Sequence, residues 1–111
     1  MDHLRIRKFN TKNTYPEQNL DNDLCHAVVT DGGKIVWMRG QCPQNLEDGV
    51  NIESMDPEDQ THKVMQNIAQ LIEEAGGEMK HLVKLVVYIT DIKNRESIYK
   101  IMGKYTKGIH P

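Results

Sequence analysis

Long apolar runs are missing from this sequence: no stretch approaches the ~20 residues that a membrane-spanning helix needs. The first residues, Met1-Asp2-His3-Leu4-Arg5, lack the apolar core of a signal peptide. Cysteine is scarce. Cys25 and Cys42 form no disulfide-framework spacing, so a reducing, cytoplasmic setting is the expectation. Positive charge is not in surplus either. The formal net charge is −2, and the one basic cluster, Arg5, Arg7 and Lys8, is too small to draw in a phosphate backbone. With a single tryptophan and a single phenylalanine there are few stacking platforms for bases, and nucleic acid is not an expected partner. The five histidines, His3, His26, His62, His81 and His110, show no i, i+4 pairing and no Cys-x-x-Cys companion, so neither a metal nor another cofactor is expected. Gly32-Gly33 and Gly76-Gly77 belong to no phosphate-binding glycine pattern and read as turns.

What is present describes one domain, residues 1–111, with a single core. Hydrophobic residues make up 38% of the chain, which sets it apart from disordered sequences. Leu4 and Ile6 alternate with His3, Arg5 and Arg7, which predicts a half-buried strand with a wet polar face. Residues 10–23, rich in Asn, Asp and Thr, read as a loop. Gly32-Gly33 suits a type I′ or II′ turn, and on that basis residues 24–30 are expected to pair antiparallel with residues 34–40. The second of these strands ends at Arg39-Gly40-Gln41, where a glycine lets a ligand or another backbone come close. A second polar loop covers residues 43–55.

Asp56-Pro57-Glu58-Asp59 is a helix start: a capping carboxylate, a proline for the first turn, and acids at the positive end of the dipole. The helix is predicted over 57–75, its stripe Val64, Ile68, Leu71, Ile72 and Ala75 facing a sheet, and Gly76-Gly77 ends it. Residues 82–90 read as a strand that buries Val83, Leu85, Val87 and Ile89, and a further helix over 94–106 carries the stripe Ile98, Ile101, Met102 and Tyr105. Strand, helix, strand predicts a right-handed crossover and hence a mixed sheet with both helices on one face. Lys84, Val86, Tyr88 and Thr90 point the other way, a face too apolar for water alone, which predicts association with further copies. Met65, Met79 and Met102 read as core filler, and Glu58-Asp59 and Glu73-Glu74 as solvated helix acids rather than a catalytic pair.

From about Leu24 to Pro111 the chain resembles the YjgF/YER057c/UK114 family, also called the RidA family. The resemblance rests on Arg39-Gly40-Gln41 where the family has Ser-Gly-Gln, on Gln66-Asn67, on Ala75-Gly76, and on Val83-Lys84 through Thr90-Asp91. It implies an α+β, chorismate-mutase-like fold, a homotrimer with pockets at the subunit clefts, and, for the best-known branch, hydrolysis of 2-enamino and 2-imino acids to 2-keto acids and ammonia. That branch follows the second helix with a Pro-Ala-Arg segment and a later glutamate. Pro111 matches the proline, so the carboxylate-holding arginine and the glutamate would lie after Pro111, and no catalytic residue is assigned within the chain. The family's pocket tyrosine falls on His26 and its pocket asparagine on Tyr99.

The substrate-binding candidates are therefore Arg39, Gly40, His26 and Tyr99. Arg39 offers a guanidinium fork to a carboxylate, and His26 an imidazole suited to general-base work. Cys42 lies beside the expected pocket without the neighbours that would activate a thiol. The leading reading is a RidA-like deaminase acting on a small carboxylate. A non-catalytic binding or regulatory protein of the same fold is the alternative, and endoribonuclease, an activity also attributed to the family, ranks third.

Overall fold

The loop between the first two strands is closed by its own polar side chains, and that closure fixes the strand pairing. A computed structural model of the chain describes residues 3–111. Strand β1, Leu4–Asn10, leads through a single helical turn, α1, Thr11–Thr14, and a 3-10 turn, Pro16–Gln18, into strand β2, Asp23–Val29. Across the closure Thr11 N donates to Asn22 O at 2.9 Å, Thr11 Oγ1 donates to Leu20 O at 2.8 Å, and Asn22 N donates to Thr11 Oγ1 at 2.9 Å. Asn10 Nδ2 reaches Asp21 and Asp23, each at 2.7 Å. With those ends tied, β1 and β2 run antiparallel, from Asn10 opposite Asp23 to Leu4 opposite Val29.

This pairing corrects the expected hairpin. Gly32 and Gly33 do take positive φ, 73° and 76°, but residues 34–40 form no ladder with β2, whose partner is β1. A two-residue turn supplies local geometry only, whereas the closed loop satisfies several backbone and side-chain groups together. The facing of β1 also departs from expectation. Leu4 is 62% exposed, while Arg5 is partly buried and donates to the carbonyls of Lys80 at 2.8 Å and His110 at 3.5 Å. Pairing skips Arg7, whose φ is +55°, and so leaves His26, the residue opposite, outside the ladder.

Helix α2, Pro57–Glu74, starts and stops as predicted. Asp56 caps it by accepting from Glu58 N at 2.9 Å, and Gly77 N donates back to Ile72 O at 2.9 Å through Gly76, whose φ is 88°. A 3-10 turn, Met79–His81, follows, and another, Ile92–Asn94, introduces helix α3, Arg95–Thr106. The core is Met65, Ile68 and Ile72 of α2 with Met102 of α3. Packed on it are Ile98 and Tyr105, and also Leu82, Leu85 and Val87 of the connecting segment. That segment alternates as predicted, with Val83, Leu85, Val87 and Ile89 half-buried and Lys84, Val86, Tyr88 and Thr90 exposed. It forms no ladder, so among the described residues the sheet is the two-stranded antiparallel β1–β2 pair and the mixed sheet is not formed. The architecture is α+β. His62 Nδ1 and Tyr105 Oη, 2.8 Å apart, tie α2 to α3, and Asn67 Nδ2 donates to Gln44 O at 2.7 Å, holding the polar loop against α2.

α3 docks on the closed loop where it has no side chain. A Cβ on Gly103 would collide with Asn22 Oδ1 and stand 3.2 Å from Asp21 O. Gly103→Ala should therefore cost about 1–3 kcal/mol, the usual range for overpacking, even though alanine is the better helix former. Urea titration checks this: a midpoint equal to or above that of the unsubstituted protein would contradict the close approach.

Candidate functional site

Because β2 is paired on one side only, its other side is open, and a cavity of about 580 Å³ lies between it and the 83–87 segment. That volume is within the range of small-molecule sites. Leu24 to Val28 of β2 form one wall, Val83, Lys84, Leu85 and Val87 the other, and Tyr99, Met102 and Thr106 of α3 the floor. Its polar groups include Cys25, His26, Lys84 and Tyr99, and no Asp or Glu lines it. Two of the hydrogen-bonding groups are already engaged: Cys25 Sγ donates to Ala27 O at 3.2 Å, and Thr106 Oγ1 to Met102 O at 3.2 Å. The His26 ring rests against Phe9, with centroids 5.1 Å apart, and Arg95 lies over the Tyr99 ring at 4.7 Å.

The structure thus brings together two of the four residues singled out in the sequence. His26 and Tyr99 share the cavity, one from each side, whereas Arg39 and Gly40 stand on an exposed stretch and are not among its lining residues. The Arg39 carbonyl accepts from Gln41 Nε2 at 3.0 Å. Cys42 is exposed and lies apart from the cavity. Sequence reasoning passed over Lys84 and Cys25. Lys84 stood among the exposed residues of its segment, and only the course of the chain across from β2 turns it into a wall of the cavity. Among the described residues no three His, Cys, Asp or Glu side chains converge in a way that would hold a metal, and no helix is long and apolar enough to cross a membrane.

One end of the cavity is held by a latch. Asp23, buried at the start of β2, accepts from Asn10 Nδ2 and from Gly108 N, each at 2.7 Å, with His110 Nε2 3.9 Å away. Lys107 Nζ meets Asp21 at 3.2 Å. Together these contacts place Pro111 at the cavity wall. Burial pushes the Asp23 carboxyl upward, but the Asn10 and Gly108 hydrogen bonds, with the charges of Lys107 and His110, outweigh it and hold the group below the ordinary carboxylate value. Asp21 is lowered too, through its bonds to Asn10 and Lys107.

Comparison with known proteins supplies a frame for this geometry. The model of the family described as Endoribonuclease L-PSP matches residues 20–111. A RutC family protein of Aquifex aeolicus is 31% identical over 83 residues, 75% of this chain and 63% of its own length. A RutC family protein of Pyrococcus abyssi is 30% identical over 73 residues, 66% of this chain and 57% of its own. Protein DfrA of Myxococcus xanthus is 28% identical over 85 residues, 77% of this chain and 64% of its own. The chain therefore spans less than two thirds of the length of these relatives. No solved structure gives a significant match.

The latch makes stability depend on pH with a definite sign. Since the folded-state value of Asp23 is lowered, its contribution is complete above the unfolded value of about 4 and is lost as pH falls through the lower folded value. Asp23→Asn should cost about 1–3 kcal/mol at neutral pH, the penalty for weakening charged hydrogen bonds. The difference from the unsubstituted protein should shrink as pH drops from about 5 toward 2. Denaturation at several pH values measures it, and a difference that stays constant with pH would show that the carboxylate charge plays no part.

Proposed function

Because the chain belongs to the Endoribonuclease L-PSP family, we propose that it takes small 2-imino, 2-enamino or 2-keto carboxylates in its cavity and hydrolyses the nitrogen-bearing ones to the 2-keto acid and ammonia. The observation that carries this reading is the character of the lining. In a chain of net charge −2 the cavity has a lysine, a histidine and a tyrosine and no acidic side chain, so it suits an anion. In the proposed reaction water adds to the C2 carbon of the imine, the C–N bond breaks, and ammonia leaves as C2 becomes a carbonyl. Water supplies the oxygen and the protons, so no redox partner is needed. His26 is the group suited to pass a proton between the water and the leaving nitrogen, Lys84 attracts the carboxylate, and Tyr99 closes the floor. Arg39 and Gly40 enter this proposal from a neighbouring copy, at a cleft between subunits.

That arrangement goes with a chorismate-mutase-like assembly, which we propose is a homotrimer. Tyr88 is 92% exposed and Trp37 88% exposed, beside exposed Val86, Val36 and Ile35. Apolar side chains lined up on two segments without ladder partners are suited to burial against further copies. A second reading, non-catalytic binding, is favoured by the absence of an acidic side chain from the cavity, since no carboxylate is there to position water. Endoribonuclease activity fits less well, because the aromatic groups lining the cavity are limited to His26 and Tyr99.

Freshly generated 2-aminoacrylate separates the first two readings. Deamination predicts faster release of ammonia and less trapping of the imine by semicarbazide, with both effects reduced in His26→Ala; pyruvate binding without either effect would establish a binding protein. If Arg39 holds the carboxylate, Arg39→Ala should weaken pyruvate roughly ten- to a hundredfold, the value of a charged, forked hydrogen bond, and equal affinity in two folded proteins would remove it from the site.

For the assembly, light scattering should give a mass three times that of the chain, and Tyr88→Lys should shift it toward the monomer. A monomeric mass at micromolar concentration would rule the trimer out.

A further inference from the structure

Behind Tyr99 lies a second, smaller cavity of about 140 Å³, and its chemistry differs from that of the first. It is bounded by Phe9 of β1, by Tyr15 and Leu20 from the β1–β2 connection and by Arg95 and Tyr99 from the first turns of α3. Asn22, Leu24 and Tyr99 border both cavities and so form the partition between them. Phe9 and Tyr15 meet edge to face, with centroids 6.1 Å apart, which makes one wall aromatic and rigid.

Arg95 is the unusual member. It is half-buried and, among the described residues, is in no ion pair. Its guanidinium carbon stands 4.7 Å above the Tyr99 ring, a contact that follows from their i, i+4 spacing on α3. Stacking on a ring orients the planar fork while leaving its edge donors free for a planar acceptor. No Asp or Glu lines the cavity to neutralise the charge from within. The remaining polar lining, from Thr11, Tyr15, Gln18 and the buried Asn22, offers hydroxyls and amides, which carry no competing charge, and the Thr11 hydroxyl is already engaged with Leu20 and Asn22. Asn22 is 3% exposed and leaves its Oδ1 without a hydrogen-bond partner, against Gly103.

We propose that this cavity is a second binding site, separate from the one described above, that takes a small monocarboxylate with its head group on the edge of Arg95 and its short hydrocarbon part against Phe9, Tyr15 and Leu20. The size sets the class. At about 30 Å³ per water the space corresponds to about four or five waters, room for an acid of a few carbons. A simple alkanoate has neither the 2-keto nor the 2-imino group, so this site does not depend on the deaminase reading.

Sodium propionate is the probe, titrated by calorimetry and by the ring resonances of Tyr15 and Tyr99. Saturable binding is expected, weakened roughly tenfold or more in Arg95→Gln, with Arg95→Lys in between because the ammonium keeps the charge and loses the fork. Lys84→Ala, which alters the larger cavity, should leave propionate affinity within about twofold. Adamantane-1-carboxylate, too large for the space, should not displace propionate. Should Arg95→Gln fail to fold, the Lys variant and the adamantane competition decide alone. The proposal is overturned by equal affinity in Arg95→Gln, by loss of binding in Lys84→Ala, by displacement with the bulky acid, or by no saturable binding at all. Ammonia release from 2-aminoacrylate, and the pyruvate affinity lost in Lys84→Ala but kept in Arg95→Gln, report on the larger cavity, so either reading can fail without the other.

Discussion

The closure of the loop between Asn10 and Asp23 is the constraint on which the rest of the structure depends. Each of its hydrogen bonds contributes on the order of 1 kcal/mol, too little singly to decide a fold. Their effect comes from position. Thr11 uses its backbone and its hydroxyl to satisfy Leu20 and Asn22, which sets the register of β1 against β2. That register puts Asp23 where it receives Gly108, so the segment after α3 is tied to the sheet, and it puts Asn22 where Gly103 lets α3 come close. Both cavities are then bounded by groups that one short polar loop has placed. A sequence run that reads as solvated linker ties the molecule together because Asn10, Thr11, Leu20, Asn22 and Asp23 satisfy one another's polar groups, while most residues between them stay exposed.

How much of this was legible in the sequence follows from which interactions are local. Helix α2 was readable to within a residue because Asp56, Pro57 and Gly76-Gly77 act on their immediate neighbours. The alternation of 82–90 was readable because facing depends on the side chains of that segment alone. Strand pairing was not. Gly32-Gly33 carries a real turn signal and adopts the conformation it promises, yet the partner of β2 is chosen by a closure between residues that look unremarkable in isolation. The same holds for the inward face of β1, where Leu4 is displaced outward because Arg5 finds two carbonyls from distant parts of the chain. His26 and Tyr99, which line the larger cavity, were singled out through family resemblance, while Lys84 and Arg95 carry no motif. Arg95 had one local clue, its i, i+4 spacing to Tyr99, and nothing in the sequence says that a cavity lies beside that pair.

The electrostatics of the chain are divided in a way that its net charge conceals. Acids outnumber bases by two, but among the described residues they are placed on the first and last turns of α2, on the first turn of α3 as Glu96, in the exposed loops and turns and in the latch, where Asp21 and Asp23 are occupied by Asn10, Lys107 and Gly108. Neither cavity is lined by an acidic side chain, and each has one long cationic side chain at its wall. A small anion approaching either space therefore meets a local field opposite in sign to the whole protein, and the low-dielectric walls around it strengthen that difference.

The backbone bears on the proposed assembly in the same way as the side chains. Residues 34–40 and 82–90 each run without ladder partners, so the N–H and C=O groups they expose are satisfied by water or by further polypeptide. Water can do so where the flanking side chains are polar. It does so at greater cost beside Trp37, Val36, Val86 and Tyr88, because apolar groups held next to unpaired backbone are hydrated together with it. An added strand or a second copy removes both costs in one step, by pairing the backbone and covering the apolar row. Residues 34–40 and 82–90 thus combine exposed apolar side chains with backbone that no ladder pairs, and β2 is likewise paired on one side only.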